Sequence, residues 1–284
     1  MATATVRRRR LGIALKQLRG EASLDSIGKA IGMSQSNLSR LERGQIAARS
    51  MVLKSLLDHY NVHGNERKRL MDLAKEQGQS GWWRAYAGVI PERHLDHIAL
   101  ESEADKISTW EPVLIPALLQ TEEYARAMFS SGGFQAMSAT EIDQRVHARL
   151  ARQDRITGED PAVLTAIFDE TALTRPVGPP AVMKAQLERV LELSERPNVT
   201  VQIIPVTAGA HAGIGGSVTI LDYEEDQAEL SVAFLETIGG DMYLDEPKDL
   251  RVCRSTFDML RSVALGPIES QQKVAQLTGG SELG

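Results

Sequence analysis

The 284-residue chain contains one cysteine, Cys253. That excludes an internal disulfide and any metal cage built on cysteines. No window approaches the ~18 consecutive apolar residues of a membrane-spanning helix. The four arginines at 7–10 are not followed by the apolar core of a secretory signal, because Lys16, Gln17 and Arg19 interrupt it. The expectation is a cytoplasmic protein without a membrane partner. Internal repeats and low-complexity blocks are also missing. Reactive constellations are scarce. His94 and His97 stand three apart on an expected helix, but no third ligand follows and the Glu of a His-Glu-x-x-His motif is absent, so an exposed helical pair and no metal are expected. The segment GAHAGIGGS at 209–217 lacks the Lys-Ser/Thr of a phosphate loop and opens no helix, and it reads as a long hairpin connection. No nucleophile–base set is found. The chain is therefore expected not to be an enzyme, with no catalytic residue and no cofactor.

What is present is an asymmetry. The formal net charge is −6, yet residues 1–80 carry 15 Lys+Arg against 7 Asp+Glu, and residues 81–284 carry 17 against 31. A front at +8 and a back at −14 suggest that the front meets a polyanion and the back does not. The length suits about two domains.

The front reads as five helices. Leu11, Ala14, Leu15 and Leu18 fall on one helix face, with Gly20 at the C-cap. Ser23 caps a second helix over 24–31 that Gly32 ends, and Ser34 caps a third that Gly44 stops. A fourth starts near Ser50, and a fifth from Asn65 turns Leu70, Leu73 and Ala74 inward. The glycine-rich polar stretch 78–81 marks the boundary between a domain over 1–78 and a second over 79–284.

Behind that boundary helices alternate with strands. Helices are expected over 94–108, 116–129, 141–156, 180–194, from Pro247 to 263, and after Pro267. Strands are expected over 163–168, 199–206, 217–222, 230–236 and 241–244. This is an α+β domain large enough to bury its own core. Trp82, Trp83 and Tyr86 are expected to pin the linker onto it. Leu114, Ile115, Leu118 and Leu119 read as core and Cys253 as a buried structural cysteine, while Asp169 and Glu170 should ion-pair with Arg175. The third of its helices carries Arg145, Arg149 and Arg152 on one side.

Residues 32–44 read GMSQSNLSRLERG. Two short helices joined by a tight glycine turn describe a helix-turn-helix. Ile27, Ile31, Leu38 and Leu41 supply the shared core, and Gly28 leaves room for close approach at a cost of ~1 kcal/mol in helix propensity. Gln35, Ser36, Asn37, Ser39 and Arg40 then project outward, and these are residue types that read base edges and phosphates. Residues 8–76 resemble the Cro/CI-type (XRE) helix-turn-helix domain, through the glycine turn and the Leu-Glu-x-Gly ending. The resemblance implies base reading by Gln35, Ser36 and Arg40, phosphate contacts by Ser34, Asn37 and Arg43, and a structural Glu42. Arginines 7–10 are expected either to track the DNA or to form an unordered tail.

From Trp82 onward the chain resembles the C-terminal domain of a large actinobacterial regulator family that includes WhiJ-like developmental regulators. The carriers are WWRAY at 82–86, LESEA at 100–104, WEP at 110–112, IPALLQTEEYAR at 115–126, DETAL at 169–173, RP at 175–176 and ET at 236–237. The resemblance implies a transcriptional regulator whose relatives neighbour a small acidic partner protein. The resulting expectation is an all-α five-helix domain followed by a larger α+β domain. It binds double-stranded DNA as a homodimer on an inverted repeat. Its second domain answers to a protein partner or a small-molecule effector. The alternative is a protein-interaction module, antitoxin-like or partner-binding, in which DNA is secondary.

Overall fold

Ser23 and Ser34 set the front of the molecule. The Ser23 side chain accepts from the Ser26 N–H at 3.1 Å and that of Ser34 from the Asn37 N–H at 3.3 Å. Each cap satisfies a backbone donor that the first helical turn leaves open. The computed structural model describes residues 6–76, 81–131, 137–223, 231–237 and 242–279. Its first five helices are α1 (Val6–Arg19), α2 (Leu24–Ile31), α3 (Gln35–Glu42), α4 (Ser50–His59) and α5 (Gly64–Glu76). Gly20, Gly32 and Gly44 all have positive φ, the region where a Cβ is costly, at the ends of α1, α2 and α3. One core joins the five helices, with Leu11, Leu15, Leu38, Leu53, Leu56, Leu57 and Leu70 almost inaccessible to solvent. Each such leucine stabilises by about 1.5–3 kcal/mol.

Two sequence expectations change here. Residues 6–10 are helical and begin α1; Arg9 is buried and Arg8 half-buried, so this is not a tail. The chain divides into two compact units, Met1–Glu103 and Ala104–Gly284. The short 3-10 turn Trp82–Tyr86 and helix α6 (Glu92–Glu101) thus group with the front, whereas the sequence assigned them to the second domain. Trp82 meets both Trp83 and Tyr86 edge-on at 6.0 Å. The histidine pair on α6 is not exposed. His97 is buried and faces Glu101 at 3.3 Å, one turn on, within a run 95–100 that is buried throughout.

The second unit is built on a six-stranded mixed sheet in the order β3-β2-β1-β4-β5-β6. The strands are β1 (Lys106–Glu111), β2 (Val163–Asp169), β3 (Val199–Ile204), β4 (Val218–Asp222), β5 (Val232–Leu235) and β6 (Met242–Leu244). The pairings β1–β2 and β2–β3 are parallel, and those from β1 through β4 and β5 to β6 are antiparallel. Helices α7 (Glu122–Ser130), α8 (Ala139–Arg152) and α9 (Asp154–Thr157) lie between β1 and β2. Helices α10 (Thr171–Thr174) and α11 (Pro180–Ser194) lie between β2 and β3, while α12 (Pro247–Val263) and α13 (Pro267–Gly279) follow the sheet.

The central strand β1 is the element that sequence reading missed. Residues 94–108 read as one helix, but the helix stops at Glu101 and 106–111 form a strand paired on both sides. KISTWE shows little apolar alternation, and its two neighbours, not its own propensity, hold it extended. The expected helix at 116–129 also divides, into a 3-10 turn (Ala117–Leu119) and α7.

Against one sheet face, α12 buries Leu250, Cys253, Phe257 and Leu260 on Trp110, Ile167, Ile220 and Ala233. Burial pushes the Cys253 thiol up from its ordinary pKa. Segment 205–217 is a crossover and not a hairpin, because β3 is an edge strand and β4 lies beyond β2 and β1. It packs on Trp110, whose Nε1–H donates to the Gly213 carbonyl at 3.0 Å while the His211 ring meets the indole edge-on at 5.2 Å. The acidic pair at the end of β2 also has other partners than Arg175. Glu170 pairs with Lys273 at 2.5 Å, and Asp169 accepts from Thr171 and faces His211 at 3.9 Å.

Candidate nucleic-acid interface

The placement of α3 begins with small residues on its neighbours. A Cβ at Gly12 would lie 2.9 Å from the Leu41 carbonyl oxygen and closer still to that of Glu42, so α1 touches the backbone at the end of α3. A Cβ at Gly28 would lie 2.5 Å from the Met33 carbonyl oxygen. The glycine of α2 is therefore a packing requirement of the turn, in line with the close approach expected at Gly28.

Arg19 then locks the far end of α3. Its Nε–H donates to Glu42 Oε1 at 2.7 Å and its Nη2–H to Oε2 at 3.1 Å, a two-pronged pairing. Its Nη1–H donates to the Ala22 carbonyl at 2.6 Å, which ties the α1–α2 connection into the same fork. Glu42 is 6% exposed. The bond to Glu42 raises the Arg19 pKa, and burial followed by the Glu42 charge pushes Tyr60 up to about 12. Glu42 is thus a strut between α1 and α3, in keeping with the structural part that the helix-turn-helix resemblance implies for it. Its partner, 23 residues away, was not legible, since no local pattern marks it.

With both ends fixed, Leu38 and Leu41 point into the core, Glu42 is buried against Arg19, and residues 35–37 turn outward with Ser39 and Arg40 partly exposed. Gln35, Ser36 and Asn37 are exposed around the first turn, and Arg43 is exposed at the end. Ser36, Arg40 and Arg43 follow at i, i+4 and i+7 along one stripe opposite the buried leucines. Arg40 is half-buried, its Nε shielded and without a hydrogen-bond partner among the described residues. Ser34 is exposed, and accepting from Asn37 leaves its O–H as a donor. All six sequence-selected residues therefore lie on α3 or at its two caps, on a surface rich in donors. Lys29, Arg49 and Lys54 are further exposed cations of this unit.

Among the described residues no helix is long and apolar enough to cross a membrane, and no group of three His, Cys, Asp or Glu could hold a metal ion. Residues 10–70 match the family model described as a helix-turn-helix domain. Residues 95–276 match the one described as a domain of unknown function (DUF5753). No curated protein and no solved structure matches the chain.

Proposed function

The chain belongs to the DUF5753 family and carries a helix-turn-helix domain ahead of that region, and from this premise we propose that it is a sequence-specific DNA-binding transcriptional regulator. The observation that carries the reading is α3: a capped helix behind a glycine turn, anchored by Gly12 and Arg19, with a polar and cationic outer face. In this reading Gln35, Ser36 and Arg40 face base edges in the major groove. Ser34, Asn37 and Arg43 hold phosphates. The module is XRE-like, of the kind found in actinobacterial WhiJ-like regulators, and acts inside the cell. One such helix reads only a few base pairs, so the protein works as a homodimer on an inverted repeat with half-sites ~34 Å apart. The second unit answers to a protein partner or a small effector, and the chain carries out no catalysis.

The test is fluorescence anisotropy on the chain's own upstream DNA against random duplex, at two salt concentrations. Arg40→Ala should cost about 1–3 kcal/mol on the cognate duplex alone and relax one position. Arg43→Ala should weaken all duplexes alike and lower the salt slope by about one. Equal losses on cognate and random DNA for both variants would refute the assignment. Unselective binding by the unmodified protein would favour a protein-interaction module in which DNA is secondary.

A further inference from the structure

Helix α12 carries more apolar surface than the sheet uses. Its 17 residues turn Leu250, Cys253, Phe257 and Leu260 onto the sheet. Val252, Met259 and Val263, at i, i+7 and i+11, form a second stripe that the chain leaves in solvent. Val252 is 65% exposed, Met259 50% and Val263 42%, far beyond a core residue. Ser255, exposed and small, stands between Val252 and Met259 and lets another helix come close. The neighbouring crossover adds to the patch. A Cβ at Gly213 would lie 2.8 Å from Leu260 Cδ2, and the next residue, Ile214, is 67% exposed. Single exposed apolar residues are ordinary, but a row of them on one helix marks a docking surface.

The charges beside the stripe indicate what covers it. Arg251 and Asp258 are both exposed and stand seven residues apart, so they line the same flank. Neither forms a hydrogen bond or ion pair among the described residues. Asp258 stands one turn beyond Arg254, but that guanidinium donates to both carboxylate oxygens of Asp222, and the Asp258 charge reaches it only from a distance. Seven residues of helix span about 10 Å, so Arg251 and Asp258 of one chain do not meet each other. Two such helices laid antiparallel reverse the order. Arg251 of one copy then comes level with Asp258 of the other, and a two-fold axis repeats the pair. A parallel pair would instead set arginine against arginine and aspartate against aspartate, which is repulsive. Flanking charges of this kind fix partner and orientation in paired helices. The flank is therefore complementary to itself, and in one orientation only.

We propose that a second copy of this chain docks on α12, antiparallel about a two-fold axis near Ser255. Val252 and Met259 are covered, Ile214 lies at the edge, and two Arg251–Asp258 pairs close the flank. This names the surface of the homodimer and rests on the homodimeric reading above. A 17-residue helix is about 25 Å long, so the contact is small, below ~1,200 Å² in total, and the dimer is reversible.

The experiment is sedimentation equilibrium of the full chain without DNA, over the micromolar range. The unmodified chain should pass from monomer to dimer as concentration rises. Arg251→Asp and Asp258→Arg each set like charges opposite one another twice, and each should weaken association at least ~10-fold. Carrying both substitutions in one chain restores the two pairs and should restore the dimer. An equimolar mixture of the two single variants should form a heterodimer, because each supplies the charge that the other lacks. Met259→Lys should abolish association. All these side chains are exposed, so every variant should keep its circular-dichroism spectrum. A dimer that every variant leaves intact would overturn the surface and leave the homodimeric reading standing. A chain that stays monomeric throughout would overturn both. Loss in the single variants without rescue in the double variant or the mixture would overturn the antiparallel pairing. DNA is absent from the assay, so failure of the DNA-binding reading leaves the surface standing.

Discussion

Arg19→Ala puts the anchoring of α3 at risk in a way that can be quantified. The substitution removes both prongs from Glu42 and the bond to the Ala22 carbonyl. Glu42 is left with its side chain 5% exposed and no cation against it. Breaking one partner of a buried pair costs about 3–5 kcal/mol, chiefly because the surviving charge stays buried. Arg19 sits nearer solvent, with 14% of its side chain exposed, so the lower end, ~3 kcal/mol, is expected. In a helical domain of this size each kcal/mol moves the midpoint by about 4–8 °C, so Tm should fall by roughly 12–24 °C. Glu42→Gln should cost less, because it leaves the arginine near water. Replacing both, Arg19→Met with Glu42→Leu, should recover much of the loss, since no charge is then stranded. The assay is thermal unfolding followed by far-ultraviolet circular dichroism, with a double-mutant cycle over the pair. A loss below ~1 kcal/mol for Arg19→Ala, or a double variant as damaged as the two singles added, would refute the strut.

Three further outcomes follow from contacts and charges elsewhere. Gly12→Ala gains helix propensity, yet its methyl meets the Leu41 and Glu42 carbonyls, so a net loss of about 1–3 kcal/mol and weaker DNA binding are expected by unfolding and anisotropy. Gly213→Ala places a methyl 2.5 Å from the Trp110 ring, and should cost about 1–3 kcal/mol and shift the tryptophan emission on its own. Burial first, and the Glu236 charge second, push Glu111 up to about 8 in the folded chain, above its ordinary 4.5. Between those values the unfolded chain loses a proton that the folded chain keeps, so its contribution is full below about 4.5 and is lost as pH rises through 8. Glu111→Gln should therefore unfold at higher denaturant than the unmodified chain at pH 8, with the gap closing toward pH 5; an equal gap at both would sink the argument.

The exposed surface of α3 was legible because its signals are local. A serine three residues before a backbone donor caps a helix, a glycine with positive φ ends one, and Leu38 with Leu41 marks the inner face; all act within a turn. Sequence therefore determined the front helices, apart from the early start of α1, and the residues of α3 that turn outward. In the second unit the apolar and β-branched strands were readable for the same reason, as were Cys253 and the leucines that follow Trp110. Tertiary structure decided what depends on partners far along the chain. KISTWE is a strand because β2 and β4 flank it, and His97 is buried because it falls within the run 95–100 that packs inward. The glycine-rich segment crosses the sheet because β3 ends at an edge, and Glu42 finds Arg19 because Gly12 lets α1 approach. Periodicity and capping act within a few residues, while strand pairing, burial and ion pairing take energy from contacts that exist only once the chain has folded.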